Sequence, residues 1–227
     1  MISAILVAAG RGTRMGPGVD KHFLEVGGRP IVGYTWQALD RAPSVAQIIV
    51  VVRDGLQEAF RDLAKQLGFR KPYQLVLGGK ERQDSVWNGL QALSPQTEIV
   101  LIQDGARPCL SGELIARTVQ AARETGAAVA AERITDTIKE SEDGAVIWRT
   151  VDRSRLWSVQ TPQTFRTEVI RAALSRVRER GLQVTDDTAA CELIGQPVRL
   201  VESLALNPKV TSPKDLPLIE LLLRQRA

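Results

Sequence analysis

Short apolar segments alternate with amphipathic segments along most of the chain, and no other feature constrains its fold as strongly. The apolar segments are rich in β-branched residues and too short for helices, which is typical of buried parallel strands. They cover residues 2–7, 47–52, 73–77, 99–102 and 127–131. The segments between them carry one apolar and one polar face, as amphipathic helices do, at residues 30–41, 56–67, 83–93 and 114–125.

This order of elements predicts an α/β fold with a doubly wound, mostly parallel, Rossmann-like sheet. Right-handed crossover connections would place helices on both faces of the sheet. Ligands of such sheets bind at the carboxyl ends of the strands. We therefore look for site residues in the loops that follow the apolar segments.

The pattern changes between residues 135 and 160. Residues 135–140 and 145–151 are typical of two strands, with Asp143 and Gly144 in the turn between them. A two-stranded ribbon is marginally stable by itself, so it must pack on another surface. We predict a single domain over residues 1–227, with an inserted β-hairpin arm at about residues 135–160 through which two subunits form a homodimer.

Composition narrows the classes of partner. The 30 Lys and Arg residues are interleaved with 26 Asp and Glu residues, and the net charge is +4. With no basic arm and only 4% aromatic residues for stacking on bases, the chain favours phosphorylated small molecules over nucleic acid.

No apolar run approaches the roughly 20 residues of a transmembrane helix, and residues 1–7 lack the basic flank of a signal peptide. We expect no membrane partner.

The cysteines indicate a reducing compartment. Cys109 and Cys191 lie in unrelated contexts and do not form a C-x-x-C pair. Neither a zinc site nor a disulfide framework is predicted. We expect a cytoplasmic location.

The loop after the first apolar segment has the chemistry of a phosphate site. Gly10 and Gly12 let backbone N–H groups approach anionic oxygens, while Arg14 and Lys21 supply charge. Arg can hold two oxygens, and Lys can place a compact charge where negative charge develops at phosphorus, so we predict that both are catalytic. Met15 excludes the dinucleotide fingerprint, and G-K-[ST] of a Walker A loop is absent. The alternative is a glycine-rich connection with solvated basic side chains.

Two further loops follow predicted strands. Residues 78–86 bring Gly79 and the hydroxyl of Ser85 to a strand end, where a turn with a helix cap is the alternative. Asp104 and Arg107 follow the segment at 99–102, so a carboxylate and a guanidinium end the central strand. A structural ion pair would explain the same two residues, but their position favours a functional site.

The motifs in these loops resemble those of the nucleotidyltransferase superfamily, whose signature is an apolar strand, A-A-G-x-G-x-R-M and a lysine shortly after. Here AAGRGTRM at residues 8–15 precedes Lys21. From its first strand to its last helix the chain is similar to the 2-C-methyl-D-erythritol 4-phosphate cytidylyltransferase family. The similarity continues in GGKERQDSV at 78–86, DGARP at 104–108, DTIK at 136–139, VDR at 151–153, TPQ at 161–163, TDD at 185–187 and NPKVT at 207–211. Lys80 departs from the family, whose members often carry an acidic residue there.

The resemblance implies a nucleotide-diphospho-sugar transferase-like fold and transfer of CMP from CTP to 2-C-methyl-D-erythritol 4-phosphate, with Mg²⁺ or another divalent cation. It also implies that Arg153 of the arm reaches the acceptor phosphate of the neighbouring subunit. The CTP-binding residues would be Ala8, Ala9, Gly10, Gly12, Thr13, Gly79, Ser85 and Asp104, with Asp104 also the candidate metal ligand. The acceptor phosphate would be held by Arg107, Thr137, Arg153, Thr161, Thr185 and Lys209.

The expected reaction is an in-line attack of the acceptor phosphate on the α-phosphorus of CTP. A phosphate monoester is mostly dianionic at pH 7, so no general base is needed. We accordingly interpret His22 as a solvated or hydrogen-bonded residue without a role in proton transfer.

Two other functions stay open at this point. A cytidylyltransferase that acts on ribitol 5-phosphate would need similar basic groups, because its acceptor is also a polyol phosphate. A non-catalytic nucleotide-binding module would keep the fold and bind CTP without releasing pyrophosphate.

Overall fold

The computed structural model describes residues 1–10, residue 12 and residues 20–225. Its strands are β1 (Ile2–Ala8), β2 (Glu25–Val26), β3 (Arg29–Pro30), β4 (Gln47–Val52), β5 (Tyr73–Leu77), β6 (Ile99–Asp104), β7 (Ala127–Arg133), β8 (Ile138–Glu140), β9 (Arg149–Val151), β10 (Trp157–Arg166) and β11 (Arg199–Glu202). Within the described residues, seven of them form a central sheet in the order β11-β7-β10-β6-β1-β4-β5. Neighbouring strands are parallel except where β10 runs antiparallel between β6 and β7. The predicted, mostly parallel sheet is confirmed.

The α-helices cover both faces of this sheet. They are α1 (Ile31–Arg41), α2 (Gln57–Leu67), α3 (Arg82–Gln91), α4 (Gly112–Thr125), α5 (Thr167–Glu179), α6 (Asp187–Glu192) and α7 (Leu216–Arg224). In the part of the chain that the structure describes, no helix is both long enough and apolar enough to cross a membrane.

Side chains that alternate along each central strand divide the core into two apolar clusters. On β1, Leu6 belongs to a cluster with residues of α1, α2 and α4, whereas Ile5 belongs to a second cluster with residues of α3, α5 and α6. Leu39 and Phe60 in the first cluster are fully buried, and burying such a side chain stabilises the fold by about 1.5–3 kcal/mol. Helices on both faces make the sheet doubly wound, as predicted.

Strand β5 differs from its prediction as a buried strand. It lies at the edge of the sheet, where it pairs with β4, and its residues are exposed or half-buried. A strand at an edge has one neighbour and packs less completely than a central strand. The apolar run correctly predicted the strand but not its place in the sheet.

Sequence analysis did not predict strand β10. Pro162 lies in its interior, and a proline in a run of residues argues against a central strand because it cannot donate to the ladder. The register between β10 and β7 shifts between Val159 and Gln163, which accommodates the proline. Residues 157–160, which we had included in the hairpin arm, therefore belong to the central sheet.

The ribbon is shorter than predicted. Strands β8 and β9 are antiparallel, with Ile138 opposite Val151. In the turn between them, Oδ1 of Asp143 accepts hydrogen bonds from the N–H groups of Ala145 at 2.8 Å and Val146 at 2.9 Å. These side-chain bonds replace ladder pairing, which is why the strands end early.

Candidate active site

A cleft of about 680 Å³ opens at the carboxyl ends of β1, β4, β5 and β6. Parallel strands bring their carboxyl ends to one edge of a sheet, so loops that are distant in sequence meet there. The walls of the cleft come from the loops after these strands and from Lys209 near the end of the chain. The cleft therefore lies where this fold class binds ligands.

The first loop contributes Ala9, Gly10 and Lys21 to the cleft. Gly12 has a φ of 61°, a left-handed conformation that favours glycine. A Cβ at Gly12 would also lie 3.2 Å from Cγ of Lys21. Glycine at this position thus lets the lysine side chain lie close to the backbone of the loop.

The loop after β5 packs directly against the first loop. A Cβ on Gly78 would lie 2.3 Å from Cβ of Ala9, and a Cβ on Gly79 would lie 2.2 Å from a side chain of α3. The hydroxyl of Ser85 accepts a hydrogen bond from the N–H of Gly79 at 3.1 Å and donates one to the carbonyl of Glu81 at 3.2 Å. The two glycine loops are held side by side, with Ser85 at the cleft wall.

Asp104, the last residue of β6, is the centre of a charge cluster. Its Oδ2 accepts a hydrogen bond from Nζ of Lys209 at 2.6 Å, and its Oδ1 accepts one from Nε of Arg82 at 3.3 Å. Nε of Arg107 lies 3.9 Å from Oδ2. Burial alone would raise the pKa of Asp104, but the three cations outweigh it and hold the pKa well below its usual range. Asp104 is ionised at neutral pH.

Sequence analysis missed the contact between Arg82 and Asp187. Nη1 of Arg82 lies 2.8 Å from Oδ2 of Asp187. Burial would lower the pKa of Arg82, but the carboxylates of Asp187 and Asp104 outweigh it and raise the pKa above its usual range. Both residues lie in motifs that we had identified, GGKERQDSV and TDD. Nothing in the sequence indicates that two positions 105 residues apart meet.

The TPQ, TDD and NPKVT motifs interlock beside the cleft. Nε2 of Gln163 donates to Oδ2 of Asp186 at 2.8 Å. Nδ2 of Asn207 donates to the carbonyl of Thr161 at 2.8 Å, and the hydroxyl of Thr161 accepts from the N–H of Asp104 at 3.1 Å. Strand β10, which carries Thr161 and Gln163, therefore joins two later motifs to the end of β6.

His22 is buried rather than solvated. Its Nδ1 lies 3.0 Å from Oδ1 of Asp20, and Oδ2 of Asp20 accepts from Nη2 of Arg53 at 2.9 Å. Burial lowers the pKa of His22, and the bond to Asp20 only partly opposes the shift. The imidazole is neutral at pH 7, so of our two interpretations the hydrogen-bonded one is correct.

Most predicted CTP-site residues lie in or next to the cleft. Gly12 precedes Lys21 in the first loop, and the buried residue Ala8 ends β1 beside Ala9. Thr13 and Arg14 lie outside the described residues. The predicted site residues that line the cleft are Ala9, Gly10, Lys21, Gly79, Ser85, Asp104 and Lys209.

Of the six residues predicted for the acceptor phosphate, only Lys209 is among the described residues that line the cleft. Arg107 and Thr161 are buried beside Asp104. Thr137, Arg153 and Thr185 are exposed, and none is among the described residues that form the cleft wall. A guanidinium N–H of Arg153 donates instead to the carbonyl of Thr135. Arg153 was expected to act on a neighbouring subunit, and a single chain leaves that prediction open.

The described side chains could supply only some of the ligands of a divalent cation. No group of three or more His, Cys, Asp or Glu residues suited to a metal occurs in the described part of the chain. Asp104 presents one carboxylate to the cleft, and its oxygens keep lone pairs beyond the bonds to Lys209 and Arg82. Mg²⁺ commonly combines one or two carboxylates with phosphates and water. The residues fit an ion held mainly by nucleotide phosphates.

Comparisons with known proteins agree with each other. A family model described as 2-C-methyl-D-erythritol 4-phosphate cytidylyltransferase matches residues 2–225. A protein of that name from Pelotomaculum thermopropionicum is 42% identical over 99% of this chain and 95% of its own length. One from Geobacillus kaustophilus is 43% identical over 98% of this chain and 97% of its own length. The structure is similar to 4-diphosphocytidyl-2C-methyl-D-erythritol synthase from Anaerococcus prevotii, with a TM-score of 0.87 at 31% identity over 98% of this chain and 96% of that one. The structure is also similar to 2-C-methyl-D-erythritol 4-phosphate cytidylyltransferase from Thermus thermophilus, with a TM-score of 0.79 at 35% identity. That match covers 99% of this chain and 100% of the other.

Proposed function

The chain belongs to the 2-C-methyl-D-erythritol 4-phosphate cytidylyltransferase family, and we infer that it transfers CMP from CTP to 2-C-methyl-D-erythritol 4-phosphate in non-mevalonate isoprenoid biosynthesis. The products are 4-diphosphocytidyl-2-C-methyl-D-erythritol and pyrophosphate. The observation that carries this function is the cleft at the carboxyl ends of β1, β5 and β6, where two glycine loops face the cations around Asp104. This combination suits a reaction between two phosphate compounds.

We assign CTP to the two glycine loops. Ala9 and Gly10 line the cleft beside Lys21, which supports binding of the triphosphate there. We assign the cytosine to Gly79 and Ser85, because the exocyclic amine of cytosine is a donor that needs an acceptor. The Ser85 oxygen accepts one bond from the Gly79 N–H and has a second lone pair for this amine.

We assign the acceptor phosphate to the cations beside Asp104. Lys209 donates one N–H to Asp104, and an ammonium group carries further N–H donors that can hold a phosphate oxygen. Nε of Arg107 is buried and has no hydrogen-bond partner among the described residues. The Arg107 guanidinium forms an ion pair with Asp104, 3.9 Å from Oδ2, and would add positive charge behind the acceptor phosphate.

In the proposed reaction, an oxygen of the acceptor phosphate attacks the α-phosphorus of CTP. A new P–O bond forms there, the bond from the α-phosphorus to the bridging oxygen breaks, and pyrophosphate leaves with that electron pair. Arg14 and Lys21 are assigned to the charge that develops on the phosphoryl oxygens. No general base is needed, because the attacking phosphate is already anionic. Burial lowers the pKa of His22, which makes the imidazole a weaker base.

We propose Mg²⁺ or another divalent cation as the cofactor, with Asp104 as its carboxylate ligand and CTP phosphates as its other ligands. When bound, the ion would supply positive charge that neutralises the triphosphate and the pyrophosphate.

We propose that the enzyme is a cytoplasmic homodimer joined through the ribbon β8–β9. Val146, Ile147 and Trp148 in the ribbon turn are 69%, 60% and 59% exposed, and burial of such adjacent apolar side chains against a second copy would stabilise a dimer. Cys109 and Cys191 are both buried thiols, which suits a reducing compartment.

The function is tested by pyrophosphate release from CTP with 2-C-methyl-D-erythritol 4-phosphate, ribitol 5-phosphate or no acceptor. Release with the first acceptor alone is expected. Release with ribitol phosphate would select the sister activity, and CTP binding without release would select a binding module. The variants Arg14→Ala and Lys21→Ala should lower kcat much more than CTP affinity, and near-normal turnover in both would contradict their assignment.

The dimer is tested by light scattering and by mixing variants. A homodimer has twice the 24.9 kDa mass of the chain. If Arg153 acts on the neighbouring subunit, a heterodimer of Lys21→Ala and Arg153→Ala chains contains one intact site and regains about half of the wild-type activity per dimer. If Arg153 acts within its own subunit, both sites are damaged and mixing restores nothing. A homodimer in which both chains carry Lys21→Ala is the control.

A further inference from the structure

Arg82 lies between two carboxylates at the back of the cleft. Its Nη1 contacts Oδ2 of Asp187 at 2.8 Å, and its Nε contacts Oδ1 of Asp104 at 3.3 Å. The other oxygen of Asp104 bonds to Lys209 at 2.6 Å. One network of alternating charges therefore runs from Asp187 through Arg82 and Asp104 to Lys209 at the cleft.

Asp187 contributes a buried charge to this network and does not line the cleft among the described residues. Its side chain is 1% exposed, and its Oδ1 has no hydrogen-bond partner among the described residues. A buried carboxylate with one oxygen unpaired costs stability, and a buried ion pair is weak evidence for a stabilising role. The hydrogen bond to Arg82 is therefore the interaction that the Asp187 carboxylate contributes.

Asp187 is itself held firmly. Its N–H donates to Oε1 of Gln163 at 3.0 Å, and the preceding residue, Asp186, caps α6 by accepting from the N–H of Ala189 at 2.9 Å. Strand β10 and the start of α6 therefore fix the backbone of Asp187. A fixed carboxylate can hold a guanidinium in one orientation, because Arg presents its N–H groups in a rigid planar fork.

We propose that Arg82 and Asp187 are positioning residues for cytidylyl transfer: Asp187 holds Arg82, and Arg82 holds the Asp104 carboxylate so that Lys209 is presented to the acceptor phosphate. The proposal rests on the proposed function of the cleft. Without Arg82, Asp104 would be free to rotate and would pair more closely with Lys209, because Nε of Arg107 lies 3.9 Å away. The ammonium group would then be less available to the acceptor.

The proposal is tested with purified full-length Arg82→Gln, Arg82→Lys, Asp187→Asn and the double variant Arg82→Gln/Asp187→Asn. We expect Arg82→Gln to lower kcat/KM for the acceptor by about 10- to 100-fold, as a catalytic group displaced by about 1 Å does. CTP affinity measured without acceptor and without divalent cation should change by less than about threefold, because Asp104 is assigned to the cation rather than to the glycine loops. Arg82→Lys should recover part of the loss, because it keeps the charge but cannot reach both carboxylates.

The double variant separates positioning from stability. Arg82→Gln leaves Asp187 as an unpaired buried charge and lowers the melting temperature, whereas the double variant removes that charge. If Asp187 acts through Arg82, adding Asp187→Asn to Arg82→Gln causes no further loss of kcat/KM. If the kcat/KM losses of the two single variants multiply in the double variant, the proposal is overturned. Normal acceptor kinetics in folded Arg82→Gln, or a loss confined to CTP affinity, would also overturn it.

Asp40→Asn is the matched control. Oδ1 of Asp40 accepts hydrogen bonds from the N–H groups of Arg70 and Lys71 at 3.0 and 2.9 Å, and Asp40 is not among the described residues that line the cleft. This variant should lose stability but keep wild-type kinetic constants. If wild-type protein releases no pyrophosphate with either acceptor, the proposed function fails. If wild-type protein is active and Arg82→Gln is as active, only the positioning role fails.

Discussion

Gly78→Ala is expected to disable the enzyme by pushing the two glycine loops apart. The new Cβ would lie 2.3 Å from Cβ of Ala9, whereas ordinary contact begins at about 3.4 Å. The difference of about 1.1 Å must be absorbed by the backbone, because an alanine side chain has no rotamer through which it can move away. The same Cβ would lie 3.0 Å from Oγ of Ser85, so both assigned parts of the CTP site are displaced.

A displacement of about 1 Å can cost about 100-fold in rate, and overpacking costs about 1–3 kcal/mol of stability. We therefore expect kcat/KM for CTP to fall about 100-fold in Gly78→Ala, measured by pyrophosphate release at saturating acceptor. Thermal unfolding measures the stability change. Gly112→Ala is the matched control, since apart from its chain neighbours and its own helix backbone no described atom lies within 4 Å of the new Cβ, and alanine favours a helix.

The reasoning is refuted if folded Gly78→Ala keeps more than about a third of the wild-type kcat/KM for CTP. That value corresponds to less than about 0.7 kcal/mol, too little for a steric overlap of this size. A large loss in Gly112→Ala would equally show that the effect is not specific to the contact between the loops.

The remaining predictions concern the charge cluster and a thiol. Lys209→Met should raise KM for the acceptor by about 10-fold or more with little change in CTP affinity, and unchanged acceptor kinetics would remove Lys209 from the acceptor site. Because the folded-state pKa of Asp104 is lowered, its contribution to stability is present above the unfolded pKa of about 4 and is lost as the pH falls through the lower folded value. The free energy of unfolding between about pH 2 and pH 5 should therefore depend less on pH in Asp104→Asn than in wild type. Burial raises the pKa of Cys191 to about 12, so this thiol should not react with a thiol reagent at pH 8 until the protein unfolds, and rapid labelling of native protein would contradict its burial.

The sequence determined the parts of this protein that depend on neighbouring residues. β-branched apolar runs predict strands such as β4 and β6, because the pattern of side chains along a short segment reports its burial directly. The loop at residues 8–15 is recognisable because its glycines and cations are contiguous, and motifs along the whole chain indicated the family before any contact was known. Strand β10 was missed because Pro162 carries the local signal of a break.

Only the tertiary structure decided which of these residues meet. Asp104 is 22 positions from Arg82 and 105 positions from Lys209 along the chain. No local pattern predicts that the three share a charge cluster or that Asp187 lies behind it. Such contacts arise because parallel strands deliver distant loops to one edge of the sheet, where burial makes each charge depend on its partner. Composition and motif established which chemical groups the protein has, whereas packing established which carboxylate each cation faces.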